Sequence, residues 1–250
     1  MTRTLAILLM CGACAIAQTK LSAPLVGVAR DSAQHLRLVH GVSGSFVLRE
    51  TISDSVAAWS FDGTTGLMKT PTELWTLGAN GEMIRRFPAP AGDAVLGPQS
   101  AFFPEAAELW QVGPKGEAKV PVDPAAIAGR VIALGPTKAQ ATQFAVCRAN
   151  ALWLLSISTT TGAVTRESMP GGAVGEQACL SAGPGSLVLV ADRMLLATAH
   201  AILIQTAAGA ERKIPVSASH ASLAGAPVHM IRITSDGEKV YQLPAAKELP

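Results

Sequence analysis

Apolar positions along the chain fall in short runs broken by glycine, proline or an Asn-Gly or Asp-Gly pair, and no stretch holds a 3.6-residue apolar period through three turns. That pattern predicts strands almost throughout. The one short helical turn it allows covers residues 124–129, opened by Pro124 and closed by Gly129.

The runs repeat. Five segments align on one glycine: residues 73–81 (ELWTLGANG), 108–116 (ELWQVGPKG), 151–162, 201–209 (AILIQTAAG) and 229–237 (HMIRITSDG). In each, a strand-like run enters a short turn, and a second run then ends at Pro88, Pro121, Pro170, Pro215 or Pro244. Glycine reaches the positive φ that tight hairpin turns need, and proline cannot donate to a strand ladder, so each unit reads as a β-hairpin. A sixth, degenerate copy covers residues 25–40, where LVGVA and HLRLV flank Arg30 to Gln34.

Successive aligned glycines are 28 to 47 residues apart, the spacing of propeller blades rather than of helical solenoids. Two more strands fit before some hairpins, as at residues 55–61 and 66–70 around Asp62-Gly63, and at 187–191 and 194–199. The expected fold is therefore all-β: a β-propeller of about six four-stranded antiparallel blades, five being the alternative count. Residues 216–228 are too short for two strands before the last hairpin, so the termini are expected to share a closing blade.

Trp75, Trp110 and Trp153 occupy one position of the repeat, with Leu203 and Ile231 there in two other copies. Their neighbours Leu74, Leu109, Leu152, Ile202 and Met230 point to the opposite face. Strands apolar on both faces belong between two layers, so these tryptophans, and Trp59 outside the pattern, are expected in the core.

Strand, glycine turn and strand, repeated with Asn80-Gly81 or Asp236-Gly237 corners, resembles the secreted bacterial β-propeller proteins with repeats of the YVTN and WD40-like kind. The resemblance runs from about Leu25 to Pro244 and concerns the architecture. It implies a single ring, and such rings serve as enzymes, lectins and scaffolds alike.

Composition narrows the class. Of 250 residues 49% are hydrophobic and 15% charged, mean hydropathy is +0.33 and the formal net charge is +2, which excludes a disordered chain and a nucleic-acid binder working by bulk charge. Residues 1–17 have the layout of a signal peptide: Arg3, an apolar run from Leu5 to Ala15, and Ala15-Ile16-Ala17 before Gln18. Cleavage after Ala17 leaves a linker over 18–24 and the propeller over 25–250, in the periplasm or outside the cell. Cys11 and Cys14 lie in the removed part. Cys14 after Gly12-Ala13 is also the alternative lipid-acceptor site, although Cys11 stands where such signals carry leucine. Cys147 and Cys179 remain, as a disulfide in an oxidising compartment or as two small buried hydrophobes.

Chemistry is sparse. His35, His40, His200, His220 and His229 form no zinc-spaced pair, and the aspartates Asp31, Asp54, Asp62, Asp93, Asp123, Asp192 and Asp236 are scattered, several in turns. Residues 41–45 miss the GxSxG elbow by one position, and 171–175 form a glycine-rich loop outside any strand-to-helix context. Glu108 opens a repeat where Glu73 also stands, so it reads as architectural. The basic doublets Arg85-Arg86 and Arg212-Lys213 belong to outer hairpin strands.

No catalytic set, metal site or cofactor is expected. The expected function is an exported, monomeric, non-enzymatic binding or scaffold propeller. It would recognise a protein or glycan through its least regular loops, with Phe102, Phe103, Gly171, Gly172, Glu176 and Gln177 as contacts. The alternative is a propeller-type hydrolase or lactonase with a metal ion in the central channel.

Overall fold

The computed structural model describes residues 25–242 except 32, 34, 43–44, 63, 114–115, 182–186, 191–192, 199–200, 207–208, 216–219, 225–228 and 235–236. The expected signal peptide, the linker and Pro244 lie outside the described residues.

The strands form six antiparallel meanders in chain order. The first holds β1 (Leu25–Arg30), β2 (Leu36–Val42) and β3 (Ser45–Ser53). The second holds β4 (Ala58–Phe61), β5 (Gly66–Lys69), β6 (Glu73–Leu77) and β7 (Met83–Pro88). The third holds β8 (Val95–Leu96), β9 (Ser100–Phe103), β10 (Glu108–Gly113) and β11 (Gly116–Pro121). After the short helix α1 (Pro124–Ile127) come β12 (Arg130–Lys138), β13 (Ala141–Arg148), β14 (Ala151–Ser158) and β15 (Val164–Ser168). A second helix, α2 (Gly172–Ser181), leads to β16 (Leu187–Val190), β17 (Arg193–Ala197), β18 (Ala201–Thr206) and β19 (Glu211–Pro215). The last sheet holds β20 (His220–Ala224), β21 (His229–Thr234) and β22 (Gly237–Gln242).

First strands of successive sheets touch, β4 to β8, β8 to β12 and β12 to β16. β17 then meets β20, and β1 meets β20 and β21. The ring closes on itself, so the molecule is a β-propeller. Among the described residues its ends meet as two adjoining three-stranded sheets, in place of one blade built from strands of both termini.

The hairpins have the register that their punctuation dictates. Glu73 pairs with Pro88, Glu108 with Pro121 and Ala201 with Pro215, so in these three copies the residue opening the unit faces the proline closing it. These prolines end outermost strands, where a missing N–H costs no ladder bond. The segment 25–40 is also a hairpin, with Leu25 opposite His40, but it forms the first pair of its sheet rather than the last. Gly162, at φ +72°, shows why its turn needs glycine: a Cβ there would lie 1.8 Å from the Pro121 carbonyl oxygen of the preceding sheet.

The core lies between neighbouring sheets. Val28, Leu36, Phe61, Met68 and Leu77 join the first to the second, and Leu67, Leu74, Phe103 and Trp110 join the second to the third. Leu109 and Trp110, adjacent in β10 and on opposite faces, are both buried, as strands sandwiched between layers require. The outer strands β7, β11 and β15 are exposed along most of their length, including Arg85 and Arg86 on β7. α1 begins as its Pro124 predicts, with Asp123 as N-cap accepting the Ala125 N–H at 2.9 Å.

α2 corrects the sequence reading, which treats residues 171–177 as an irregular loop. The helix carries a glycine in its interior, Gly175, at a cost of about 1 kcal/mol against alanine, and ten residues form only a marginal helix alone. Tertiary contacts supply what the sequence lacks. Val174 and Ala178 are buried in the cluster that joins the fourth and fifth sheets, among Leu152, Leu187, Leu196 and Leu203.

Candidate functional site

The sequence points to two stretches for contact. Phe102 and Phe103 are not on the surface: they end strand β9, are 4% and 1% exposed, and face opposite sides of the sheet. Phe102 meets Phe144 edge-on with ring centroids 5.1 Å apart, and Phe103 packs on Trp110 at 4.8 Å. They are core residues of two inter-sheet layers, which removes them as contacts.

The other stretch is exposed. Gly171, Gly172, Glu176 and Gln177 all face solvent, and so do the flanking apolar side chains Met169 (60%) and Leu180 (74%). Val174 and Ala178, one turn apart on the opposite side of α2, fix that orientation by being buried. A side chain of average size that is three-quarters exposed on a helix otherwise seated in the core marks an outward face.

Groups distant in sequence hold this segment. The Glu211 carboxylate, at the start of β19, accepts the Ala173 N–H at 2.8 Å, where a helix leaves amide donors unpaired. Gln205 on β18 donates through Nε2 to the Gly171 carbonyl at 2.7 Å. Gly172 adopts φ +80°, and a Cβ there would come within 1.7 Å of Glu211 Oε1, so only glycine lets the carboxylate approach. At the other end Cys179 of α2 is disulfide-bonded to Cys147 of β13, with Cα atoms 5.6 Å apart. α2 is therefore tied to the fifth sheet at its start and to the fourth at its end. Glu211 and Gln205 carry no local motif that could have singled them out; the glycine pair at 171–172 was the visible signal.

Elsewhere the polar groups serve structure. Lys69 of β5 is fully buried, with Nζ donating to the Thr70 and Pro71 carbonyls, and burial pushes its pKa down while Asp93 partly offsets that. Each ring nitrogen of His35 faces a different carboxylate, Nδ1 3.5 Å from Asp31 and Nε2 3.8 Å from Asp54, so the two aspartates do not converge on one point. Among the described residues, no three His, Cys, Asp or Glu side chains gather as metal ligands. Arg148 donates to the Ile127 and Ala126 carbonyls at 2.6 and 2.7 Å, holding the end of α1. Gln111, Thr137 and Thr142 hydrogen-bond one another across the third and fourth sheets at 2.8 to 3.0 Å.

The tryptophans divide by depth. Trp110 is buried, whereas Trp59, Trp75 and Trp153 are half-buried, and each of the four rings lies under a cation: Lys119, Arg30, Arg86 and Arg148 respectively. A covering cation and a strand position explain these rings without a ligand.

No helix among the described residues is long and apolar enough to cross a membrane. No family model matches the chain, and no curated protein matches it either. Solved structures similar to it include BamB from Moraxella catarrhalis, 15% identical over 88% of this chain and 71% of that one, TM-score 0.38. A streptogramin B lyase is 14% identical over 92% and 86%, TM-score 0.40. The Pan2 WD40 domain of Neurospora crassa is 9% identical over 90% and 80%, TM-score 0.43. The chain's own ring of antiparallel sheets makes it a β-propeller repeat protein, and no family model matches it.

Proposed function

We propose that the chain is an exported, non-enzymatic binding propeller that recognises a protein or glycan partner through the segment from Met169 to Leu180. The observation that carries this reading is the placement of α2. Its inner side is locked between two sheets by Val174, Ala178 and Cys179, its outer side presents Glu176, Gln177 and Leu180, and Met169 is exposed just ahead of the helix. A rigid scaffold that inserts one helix and leaves its Leu180 three-quarters exposed has the form of a recognition element. Export is supported by the layout of residues 1–17.

The test uses the tagged full-length protein, cross-linked in cell-envelope extract and, separately, applied to a glycan array. Met169→Glu combined with Leu180→Glu is expected to lose the recovered partner at an unchanged melting temperature. Recovery of the same partners by the variant sinks the assignment of the surface. Mass spectrometry of the exported protein is expected to find Gln18 at its N-terminus; an intact Met1 ends the export reading.

A further inference from the structure

The geometry points to a redox latch: the Cys147–Cys179 disulfide keeps α2 docked, and its reduction releases the helix while the sheets of the ring stay folded. α2 is poorly equipped to hold itself. Gly175 sits in its interior, and it has no acidic residue in its first turn and no basic residue in its last. Its inward side offers the small side chains of Ala173, Val174, Ala178 and Cys179. At its start the Glu211 and Gln205 contacts fix Ala173 and Gly171. At its end the covalent tether is the bond from Cys179 to β13.

The sheets on either side do not depend on that bond. β13 pairs with β12 and β14 over most of its length, and β18 pairs with β17 and β19, so each sheet keeps its own ladder when the sulfurs part. Both cysteines are only partly buried, and Cys179 adjoins the exposed Leu180. A dithiol reductant can therefore act here. One of its thiolates attacks a protein sulfur, the S–S bond breaks and the other cysteine leaves as thiolate, then takes up a proton. The reductant's second thiol attacks the mixed disulfide and frees the remaining cysteine, likewise protonated. Two electrons and two protons reach the protein, and the reductant becomes a disulfide. If Met169 to Leu180 is the recognition surface, as the preceding reading has it, the latch makes that surface available in the oxidised protein and withdraws it on reduction.

Hydrogen exchange with peptide-level mass spectrometry tests the latch without any partner. On adding dithiothreitol to the intact protein, amides of 173–181 are expected to exchange at least about tenfold faster while those of β13, β14, β17 and β18 keep their protection. A Cys147→Ser/Cys179→Ser variant is expected to match the reduced protein without dithiothreitol. Glu211→Gln, which leaves both sulfurs in place, is expected to loosen 173–175 mildly and to make reduction more effective. Unchanged protection of α2 after confirmed reduction overturns the latch, and so does protection lost from the flanking sheets together with it. Partner recovery is measured separately. Exchange that responds to reduction while no partner is recovered in either state refutes the binding reading and leaves the latch standing.

Discussion

The indole N–H of Trp110 donates to the Glu108 carboxylate at 2.8 Å, two residues back along the same face of β10. Trp75 and Glu73 repeat the contact at the same distance in β6. The residue opposite each tryptophan on the outer strand is a cation over its ring: Lys119 at 3.9 Å and Arg86 at 5.7 Å from the ring centroid. The shared glutamate at the head of two repeats is thus an indole acceptor, and its recurrence is architectural.

The two copies differ in depth, which makes a prediction. Trp110 is 2% exposed, so Glu108→Ala strands a buried donor and is expected to cost about 1–3 kcal/mol in urea melts. Glu73→Ala leaves the half-buried indole of Trp75 near water and is expected to cost clearly less. Glu108→Gln keeps an acceptor and is expected to recover most of the loss. Equal costs at both sites would show that burial does not govern the pair.

The reassignment of Phe102 and Phe103 is tested by truncation. Each is expected to cost about 3–5 kcal/mol on replacement by alanine, because a cavity opens in a different inter-sheet layer in each case. Surface contact residues would lose well under 1 kcal/mol. Equilibrium denaturation of the two variants decides between them.

What was legible in the sequence follows from how far each cause reaches. A hairpin is set by glycine at its turn and proline at its end, both acting within a few residues, so Gly81 with Pro88 and Gly209 with Pro215 mark their units openly. Phe102 and Phe103 were misplaced because β8, the strand before theirs, is only Val95–Leu96, which leaves the stretch after Pro88 looking like an insertion. α2 was hidden because the groups that make it a helix lie far along the chain: Glu211, 38 residues from Ala173, and Cys147, 32 from Cys179. The indole acceptors were half visible. The repeated Glu-x-Trp showed a fixed position, and only the strand pairing shows what the glutamate does there.

Adjacent glycines give a paired test of the α2 cap. Gly172 has φ +80° and its missing Cβ leaves room for Glu211, whereas a Cβ on Gly171 meets nothing within 4 Å. Gly172→Ala is expected to destabilise by about 1–2 kcal/mol, through backbone strain and displacement of the carboxylate. Gly171→Ala is expected to be close to neutral. Thermal melts of both, read beside Glu211→Ala, which removes the acceptor, separate strain from the lost cap: if strain alone matters, Glu211→Ala changes little.

Lys69 gives the protein an unusual response to alkali. Burial lowers its pKa in the fold below its ordinary value of 10.5, with Asp93 opposing part of the effect. Between the folded and the ordinary pKa the unfolded chain binds more protons than the folded one, so stability contributed by this group rises with pH across that window. Below the folded pKa the cost of burying the ammonium is constant. Urea melts at about pH 7.5 and about pH 10 are expected to show wild type gaining relative to Lys69→Met, in which the titrating group is absent. The comparison rests on the slope, since methionine also leaves the Thr70 and Pro71 carbonyls without their donor and so shifts both curves alike. Parallel pH profiles for the two proteins would show that the buried ammonium imposes no charge penalty on the fold.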